Sequence, residues 1–192
     1  MKKIAMMLGI LTLTGVVSGV SLALINQKVE PRVLEQQARA IREAVLAVVP
    51  GAVQFTEKKL DVETVYYEVF DAEGKLAGYS LPGQGMGYGG QINLIIGVTP
   101  DFKKSTGLKV LENVETPGLG GKIGEKAFQS GFPRLLLEPA VTLVKGSRSK
   151  DNELPAITGA TISSRAVVNI VNGLIKKYRP LILKENQAVN PK

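Results

Sequence analysis

The sequence predicts an α+β protein with a single N-terminal transmembrane helix, followed by a domain that has a mainly antiparallel sheet and flanking helices. Three observations lead to this prediction. An uncharged stretch near the N-terminus is long enough to cross a bilayer. Strand-like segments separated by turns fill the middle of the chain, and amphipathic helical patterns stand on both sides of them. We therefore divide the chain into a membrane segment, residues 1–25, and a folded domain, residues 26–192.

The membrane segment is predicted from Ile4–Ile25, which contains no charged residue. A helix of that length covers roughly 33 Å, close to the ~30 Å of a bilayer core, so membrane lipid is its expected partner. Lys2 and Lys3 favour a cytoplasmic N-terminus, which places the domain on the extracytoplasmic (periplasmic) side of the cell (inner) membrane. A cleaved signal peptide is the alternative, because Ser21–Ala23 resembles a small-x-small cleavage site.

The first element of the domain is a helix bounded by Pro31 and Pro50. Apolar residues recur there at spacings of three and four, with charged residues between them. The recurring positions are Leu34, Ala38, Ile41, Val45 and Val48. Because one face is fully apolar, we expect this helix to pack on the domain rather than only to prolong the membrane helix.

Strands and turns follow. Residues 64–70 are rich in β-branched and aromatic side chains, and a turn at 71–74 leads to a returning strand at 75–80. The later segments are a glycine-rich loop at 82–90, strands at 91–99 and 107–114, a second loop at 115–121, a short helix at 122–129, a strand at 140–144 and a polar loop at 146–156.

The last element is a helix from about Ser163 to Tyr178, where apolar residues repeat with the helical period. Ser163 or Ser164 can cap its start, and Pro180 is expected to end it. A helix N-terminus presents unpaired N–H groups and the positive end of the dipole, so it favours a phosphate. The alternative is an ordinary Ser/Thr-capped helix. The two glycine-rich loops could allow a flat ligand to approach, or they could be plain turns.

Composition excludes several kinds of chemistry. The chain has no cysteine and no histidine, which excludes thiol nucleophiles, iron–sulfur clusters, zinc fingers and a Ser-His-Asp triad. Redox work would need an organic cofactor, and we predict neither a metal site nor catalytic residues of a hydrolase. The formal net charge of +7 is spread along the chain without aromatic interleaving, so we do not expect nucleic-acid binding.

Three motifs resemble one family. Thr158-Gly159-Ala160-Thr161 matches the [ST]-G-A-T flavinylation motif, residues 115–120 match E-T-P-G-L-G, and residues 87–90 match G-Y-G-G before an apolar strand. All three, in this order, belong to the covalent FMN-binding domain of the RnfG and NqrC subunits. The resemblance covers nearly the whole chain, since those subunits also begin with a single span. The short chain is more similar to RnfG.

The resemblance implies an electron carrier. RnfG belongs to the Rnf complex, a membrane assembly that transfers electrons between ferredoxin and NAD and couples this transfer to Na⁺ or H⁺ translocation. The resemblance implies FMN bound through its phosphate to the hydroxyl of Thr161, attached by a flavin transferase that uses FAD and Mg²⁺. Other subunits of the complex are the implied partners.

The implied site has two parts. The phosphate would lie at Thr161, in a pocket shaped by Thr158, Gly159, Ala160 and Ser163. The isoalloxazine ring would be bordered by Glu115, Thr116, Leu119 and Gly120, with Tyr88 at its edge.

The chain departs from the family pattern at one position. An Asp usually stands three residues before the first Ser or Thr of the motif, and this chain has Pro155 there. Flavinylation could then depend on Glu153 instead. Three other functions remain open: a stand-alone membrane-tethered flavoprotein carrier, an NqrC-like subunit, and an assembly module without redox function.

Overall fold

The computed structural model describes residues 2–60 and 64–189, which group into two compact units, Met1–Ile41 and Arg42–Lys192. The first helix, α1, spans Lys2–Ala47. Among the described residues it is the one helix long and apolar enough to cross a membrane, judged by length and composition.

Helix α1 continues through Pro31, so the two helices expected from the sequence are one. Pro31 is exposed, and water can bond the carbonyl that lacks its usual N–H partner. Leu34 is 59% exposed, whereas Ala44 and Val45 near the end of α1 are buried. Of the recurring apolar positions, Val45 and Val48 are buried.

The domain is built on a five-stranded antiparallel sheet in which sequence neighbours pair, in the order β1-β2-β3-β4-β5. Its strands are β1 Gln54–Lys59, β2 Val65–Phe70, β3 Leu76–Met86, β4 Gln91–Val98 and β5 Ser105–Asn113. A 3₁₀ helix at Gly120–Gly124 and helix α2 at Lys126–Gln129 follow. Strands β2, β4 and β5 lie where the sequence predicts them.

Strand β3 is longer than expected, because Pro82–Met86 was predicted as loop and instead pairs with β4. Two glycines in this stretch lie under the last helix. A Cβ at Gly83 would lie 2.6 Å from the Leu174 side chain, and one at Gly85 would lie 2.6 Å from that of Ile170. The glycines that resembled a turn are therefore the places where a helix packs closely on the sheet.

Two further strands departed from the prediction. Strand β1 was not predicted, since its residues are almost all exposed and show no alternation of apolar side chains. Strand β7 at Glu153–Pro155 lies in the predicted polar loop and pairs in parallel with β6 at Thr142–Val144. Each of the two strands is stabilised by backbone hydrogen bonds to a partner strand, β1 to β2 and β7 to β6.

The last helix, α3, spans Thr161–Val189 and packs on one face of the sheet. The expectation that Pro180 ends it was wrong. Pro180 is exposed, and Ile182 beyond it is fully buried in the core, so burial offsets the lost backbone bond. The Tyr178 hydroxyl donates to the carbonyl of Val65 at 2.8 Å, which ties α3 to β2.

Candidate cofactor site

The start of α3 forms one wall of a cavity of about 380 Å³. The cavity brings together three segments that lie far apart in the sequence, and nine of the ten predicted site residues line it. The lining residues are Tyr88, Glu115, Thr116, Leu119, Gly120, Gly159, Ala160, Thr161, Ile162 and Ser163. Thr158 is exposed and lies outside the lining. Ile162 was not predicted, although a bulky apolar residue directly after Thr161 was a usable signal.

The turn before α3 is fixed by its own residues. Gly159 has φ +82°, a left-handed conformation that side chains other than glycine rarely adopt. Ser164 Oγ accepts from the Ile157 N–H at 3.1 Å and donates to the Ala160 carbonyl at 3.0 Å. Ser164 therefore anchors the turn from inside, and it is not the helix cap that the sequence predicted, since α3 begins at Thr161.

The helix start presents donors to the cavity. The first backbone bond into α3 runs from the Ser164 N–H to the Ala160 carbonyl at 3.0 Å. The N–H groups of residues 161–163 precede that bond and lie at the positive end of the helix dipole. A phosphate beside Thr161 would accept from such groups, which is the reason helix starts suit anions.

Glu115 is the polar centre of the site. The residue is only 6% exposed, and its carboxylate accepts three hydrogen bonds. Oε1 accepts from the backbone N–H groups of Tyr88, at 2.7 Å, and Gly89, at 3.0 Å. Oε2 accepts from Ser163 Oγ at 2.7 Å. One carboxylate thus joins the loop at 87–90 to the first turn of α3, where the sequence placed it at the border of a flavin ring.

Two motif glycines make room for this carboxylate. A Cβ at Gly87 would overlap Glu115 Oε1, and a Cβ at Gly120 would overlap both Glu115 Oε2 and the Ser163 hydroxyl. Glycine at these positions therefore has a steric reason inside the protein. Whether the same loops also let a flat ligand approach stays a prediction.

The outer walls of the cavity are apolar. Tyr88 is 73% exposed, Leu119 50% and Ile162 58%. Large apolar side chains so exposed in a folded domain mark a surface that takes a ligand or a partner. Leu119 is therefore not core filling and Tyr88 is not a buried structural tyrosine, the two alternatives that the sequence left open. A cavity of this size with apolar walls and a few polar groups suits an aromatic ligand that carries one anionic end.

Glu153 has a different environment. Its Oε2 accepts from the Ser149 N–H and the Ser149 hydroxyl, both at 2.8 Å, and from the Lys150 N–H at 3.1 Å. The Ser149 backbone bond, followed by that of its hydroxyl, holds the pKa of Glu153 below its ordinary value. The acceptor oxygen of this carboxylate therefore faces its own loop.

The domain also matches proteins of known sequence. The profile of the FMN-binding domain family matches residues 87–176, a range that contains all three motifs. The G subunit of the ion-translocating oxidoreductase complex of Methanosarcina acetivorans is 30% identical, covering 91% of this chain and 94% of that protein. The G subunit of the proton-translocating ferredoxin:NAD(+) oxidoreductase complex of Clostridium ljungdahlii is also 30% identical, covering 87% of each.

The chain belongs to the RnfG family of ion-translocating oxidoreductase complexes. The resemblance predicted from the motifs is thereby confirmed. The C subunit of the Na(+)-translocating NADH-quinone reductase of Haemophilus ducreyi is 33% identical, but the match covers only 54% of this chain and 43% of that protein. Full-length similarity therefore favours RnfG over the NqrC-like alternative.

Solved structures confirm the fold of this RnfG-family chain. NqrC of Shewanella oneidensis superposes with a TM-score of 0.59 at 21% identity, covering 76% of this chain and 73% of that one. The corresponding Na(+)-translocating NADH-quinone reductase protein from Parabacteroides distasonis gives a TM-score of 0.64 at 16% identity, covering 79% and 96%. The predicted α+β class, with an antiparallel sheet and flanking helices, is thus correct.

Proposed function

We propose that this chain is the electron-carrier RnfG component of an Rnf-type complex, and that its FMN is joined through the phosphate to Thr161. The carrier role rests on the RnfG family and on the FMN-binding domain at 87–176. The observation that carries the attachment is the position of Thr161, which is the first residue of α3 and lines the cavity. The flavin supplies the redox chemistry, and the chain positions and shields it.

Each end of the cavity suits one end of FMN. Thr161 and the N–H groups of the first helical turn would hold the phosphodiester, whose negative charge the helix dipole stabilises by about 0.3–1 kcal/mol. Tyr88, Leu119 and Ile162 would cover the ring system and reduce its contact with water. The absence of cysteine and histidine leaves a hydroxyl as a natural point of attachment.

With FAD as the donor, a flavin transferase would attach FMN by a phosphoryl-group transfer in which AMP is the leaving group. Thr161 Oγ1 forms the bond to the FMN phosphorus, the phosphoanhydride bond of FAD breaks, and AMP leaves while the hydroxyl proton passes to solvent. The product is a phosphothreonyl ester that cannot dissociate. A permanent bond is an advantage for a domain on the extracytoplasmic side, where a released cofactor is not easily recovered.

The chain is membrane-anchored. One N-terminal helix suffices for a span, and the relatives that match over most of this chain are components of ion-translocating complexes. We propose residues 1–25 as the membrane segment and residues 26–192 as the periplasmic domain, with the other subunits of the complex as partners.

Peptide mapping tests the attachment directly. Trypsin releases residues 151–165 as one peptide, because it cleaves after Lys150 and after Arg165 and no other Lys or Arg lies between them. After co-expression with the flavin transferase we expect this peptide to gain the mass of one FMN less one water, and Thr161→Ala to abolish the gain. Thr161→Ser is the matched control, since it keeps a hydroxyl at the first position of α3 and should still gain the mass. Modified peptide from Thr161→Ala would refute the assignment.

Two alternatives have their own outcomes in the same preparation. A colourless wild-type protein favours an assembly module without redox function. A yellow protein that purifies alone from its native membrane, without the other subunits, favours a stand-alone carrier.

A further inference from the structure

We infer that Glu115 is the positioning residue of the site, and that its buried carboxylate holds the cavity in its binding shape before flavin is attached. This inference rests on the proposed attachment of FMN to Thr161. Glu115 is not proposed to touch the reacting atoms. It acts through the loop at 87–90 and the first turn of α3, which carry the residues that do.

Glu115 connects segments that are distant in the sequence. The three hydrogen bonds of Glu115 reach residues 27, 26 and 48 positions away in the sequence. Ser163 stands two residues after Thr161 on the same helical turn, and Tyr88 is itself a wall of the cavity. Fixing these two partners therefore fixes both the anchor hydroxyl and one apolar wall relative to each other.

The carboxylate of Glu115 is also closely packed. The carboxylate fills space that side chains at 87 and 120 would otherwise occupy, and both residues are glycine. No buried side-chain nitrogen or oxygen in the described part of the chain lacks a partner, so the network is complete without a ligand. A complete network of this kind keeps a site rigid before it is loaded.

Loss of the Glu115 carboxylate would release the groups that it holds. Without the carboxylate, two backbone N–H groups and one hydroxyl are left to find other partners, and the loops can move apart. A misplacement of about 1 Å at a reacting group can slow a reaction roughly 10²-fold. We therefore expect Glu115→Ala to slow flavin attachment about tenfold or more.

Glu115→Gln separates position from charge. The amide oxygen can accept from Tyr88 and Gly89, and the amide nitrogen can donate to Ser163 Oγ if that hydroxyl rotates. The variant keeps the three connections and removes the negative charge. A positioning role therefore predicts that Glu115→Gln keeps most of the attachment rate that Glu115→Ala loses.

The experiment uses the full chain in detergent, purified without flavin, with the transferase, FAD and Mg²⁺ added. The attachment rate is followed by mass at a temperature where near-ultraviolet circular dichroism shows every variant folded. Asn172→Ala is the matched control. Asn172 also lies on α3. Its side-chain amide makes two partly buried hydrogen bonds with the backbone of Val141: Oδ1 accepts from the N–H and Nδ2 donates to the carbonyl, at 2.9 Å each. Asn172 does not line the cavity.

Support requires that Glu115→Ala be slow while Glu115→Gln and Asn172→Ala remain near the wild-type rate. Wild-type speed in Glu115→Ala, equal loss in Glu115→Gln, or equal loss in Asn172→Ala would each overturn the inference. A second readout does not need flavin: the Tyr88 and Gly89 amides should be protected from hydrogen exchange in the unloaded wild type and in Glu115→Gln, and should exchange faster in Glu115→Ala.

Failure of the proposed function gives a different result. Wild-type protein that never gains flavin refutes the attachment at Thr161, while the exchange pattern still tests whether Glu115 holds the cavity. Unchanged protection in Glu115→Ala overturns the inference whatever the flavin result.

Discussion

Glu115 and Glu153 are two buried glutamates, 6% and 8% exposed, and each accepts three hydrogen bonds. The partners of Glu153 lie three and four residues away, so that carboxylate closes one local turn. The partners of Glu115 come from two segments distant in sequence and meet at the cavity. Similar chemistry therefore stabilises a loop in one place and assembles a site in the other.

The difference lies in what surrounds each carboxylate. Glu115 is accommodated by glycines at 87 and 120, where a side chain would overlap it. Glu153 stands at the start of β7, and its acceptor oxygen faces the loop at 149–150. A substitution at Glu115 should thus change the ligand site, whereas a substitution at Glu153 should change only the free energy of unfolding.

The largest effect is expected from Gly120→Ala. Its new Cβ would overlap Glu115 Oε2 and Ser163 Oγ together, so we expect a loss of about 1–3 kcal/mol in unfolding free energy and slow attachment of flavin. Urea unfolding in detergent and the mass assay measure the two effects.

Gly173→Ala is the matched control for that substitution. Gly173 lies within α3, and nothing approaches the position of its Cβ within 4 Å. Alanine there should stabilise the chain by about 0.4–1 kcal/mol and leave attachment unchanged. Equal behaviour of the two alanine variants would contradict the steric role of Gly120.

A smaller effect separates two serines. Ser163 and Ser149 each donate a hydroxyl to a glutamate Oε2, at 2.7 and 2.8 Å. Alanine at either position should cost about 0.5–1.5 kcal/mol of unfolding free energy. Only Ser163→Ala should slow flavin attachment, because only its partner holds the cavity. If Ser149→Ala slows attachment as much, the contrast between the two glutamates is lost.

The smallest effect is expected from Glu153→Gln, which keeps the shape of the side chain and removes its charge. The pKa of Glu153 in the folded chain lies below its ordinary value of 4.5, so the charge stabilises the fold above pH 4.5. That contribution is lost as the pH falls through the lowered pKa. Wild type should therefore exceed Glu153→Gln in stability at pH 7, and urea unfolding at stepped pH should show this difference shrink as the pH falls below 4.5.

Flavin attachment gives the second measurement on Glu153→Gln. Because the carboxylate faces Ser149 and Lys150, we expect the wild-type attachment rate despite Pro155 at the usual Asp position. A strong decrease would mean that the transferase reads Glu153 after all.

Much of the fold could be predicted where the signal is local. The signal for each of these elements lies within one continuous segment of the sequence. They are the apolar stretch at 4–25, strands β2, β4 and β5, and helix α3. The failures share one cause. Strand β1, strand β7 and the end of β3 depend on pairing with other strands, and α3 passes Pro180 because Ile182 is buried by distant residues. Local patterns do not record such contacts.

The sequence by itself determined the membrane stretch, the lack of cysteine and histidine, and the three motifs that predict FMN and Thr161. Only the tertiary structure decided what the motif residues do. In the folded chain the Glu115 carboxylate bonds to Ser163; Tyr88 and Leu119 line the cavity, and Thr158 lies outside the cavity lining. The reason is physical. Ser163 and Glu115 are 48 positions apart in the sequence, and their 2.7 Å hydrogen bond can form only after the sheet and α3 have packed together. No local sequence pattern encodes such a contact.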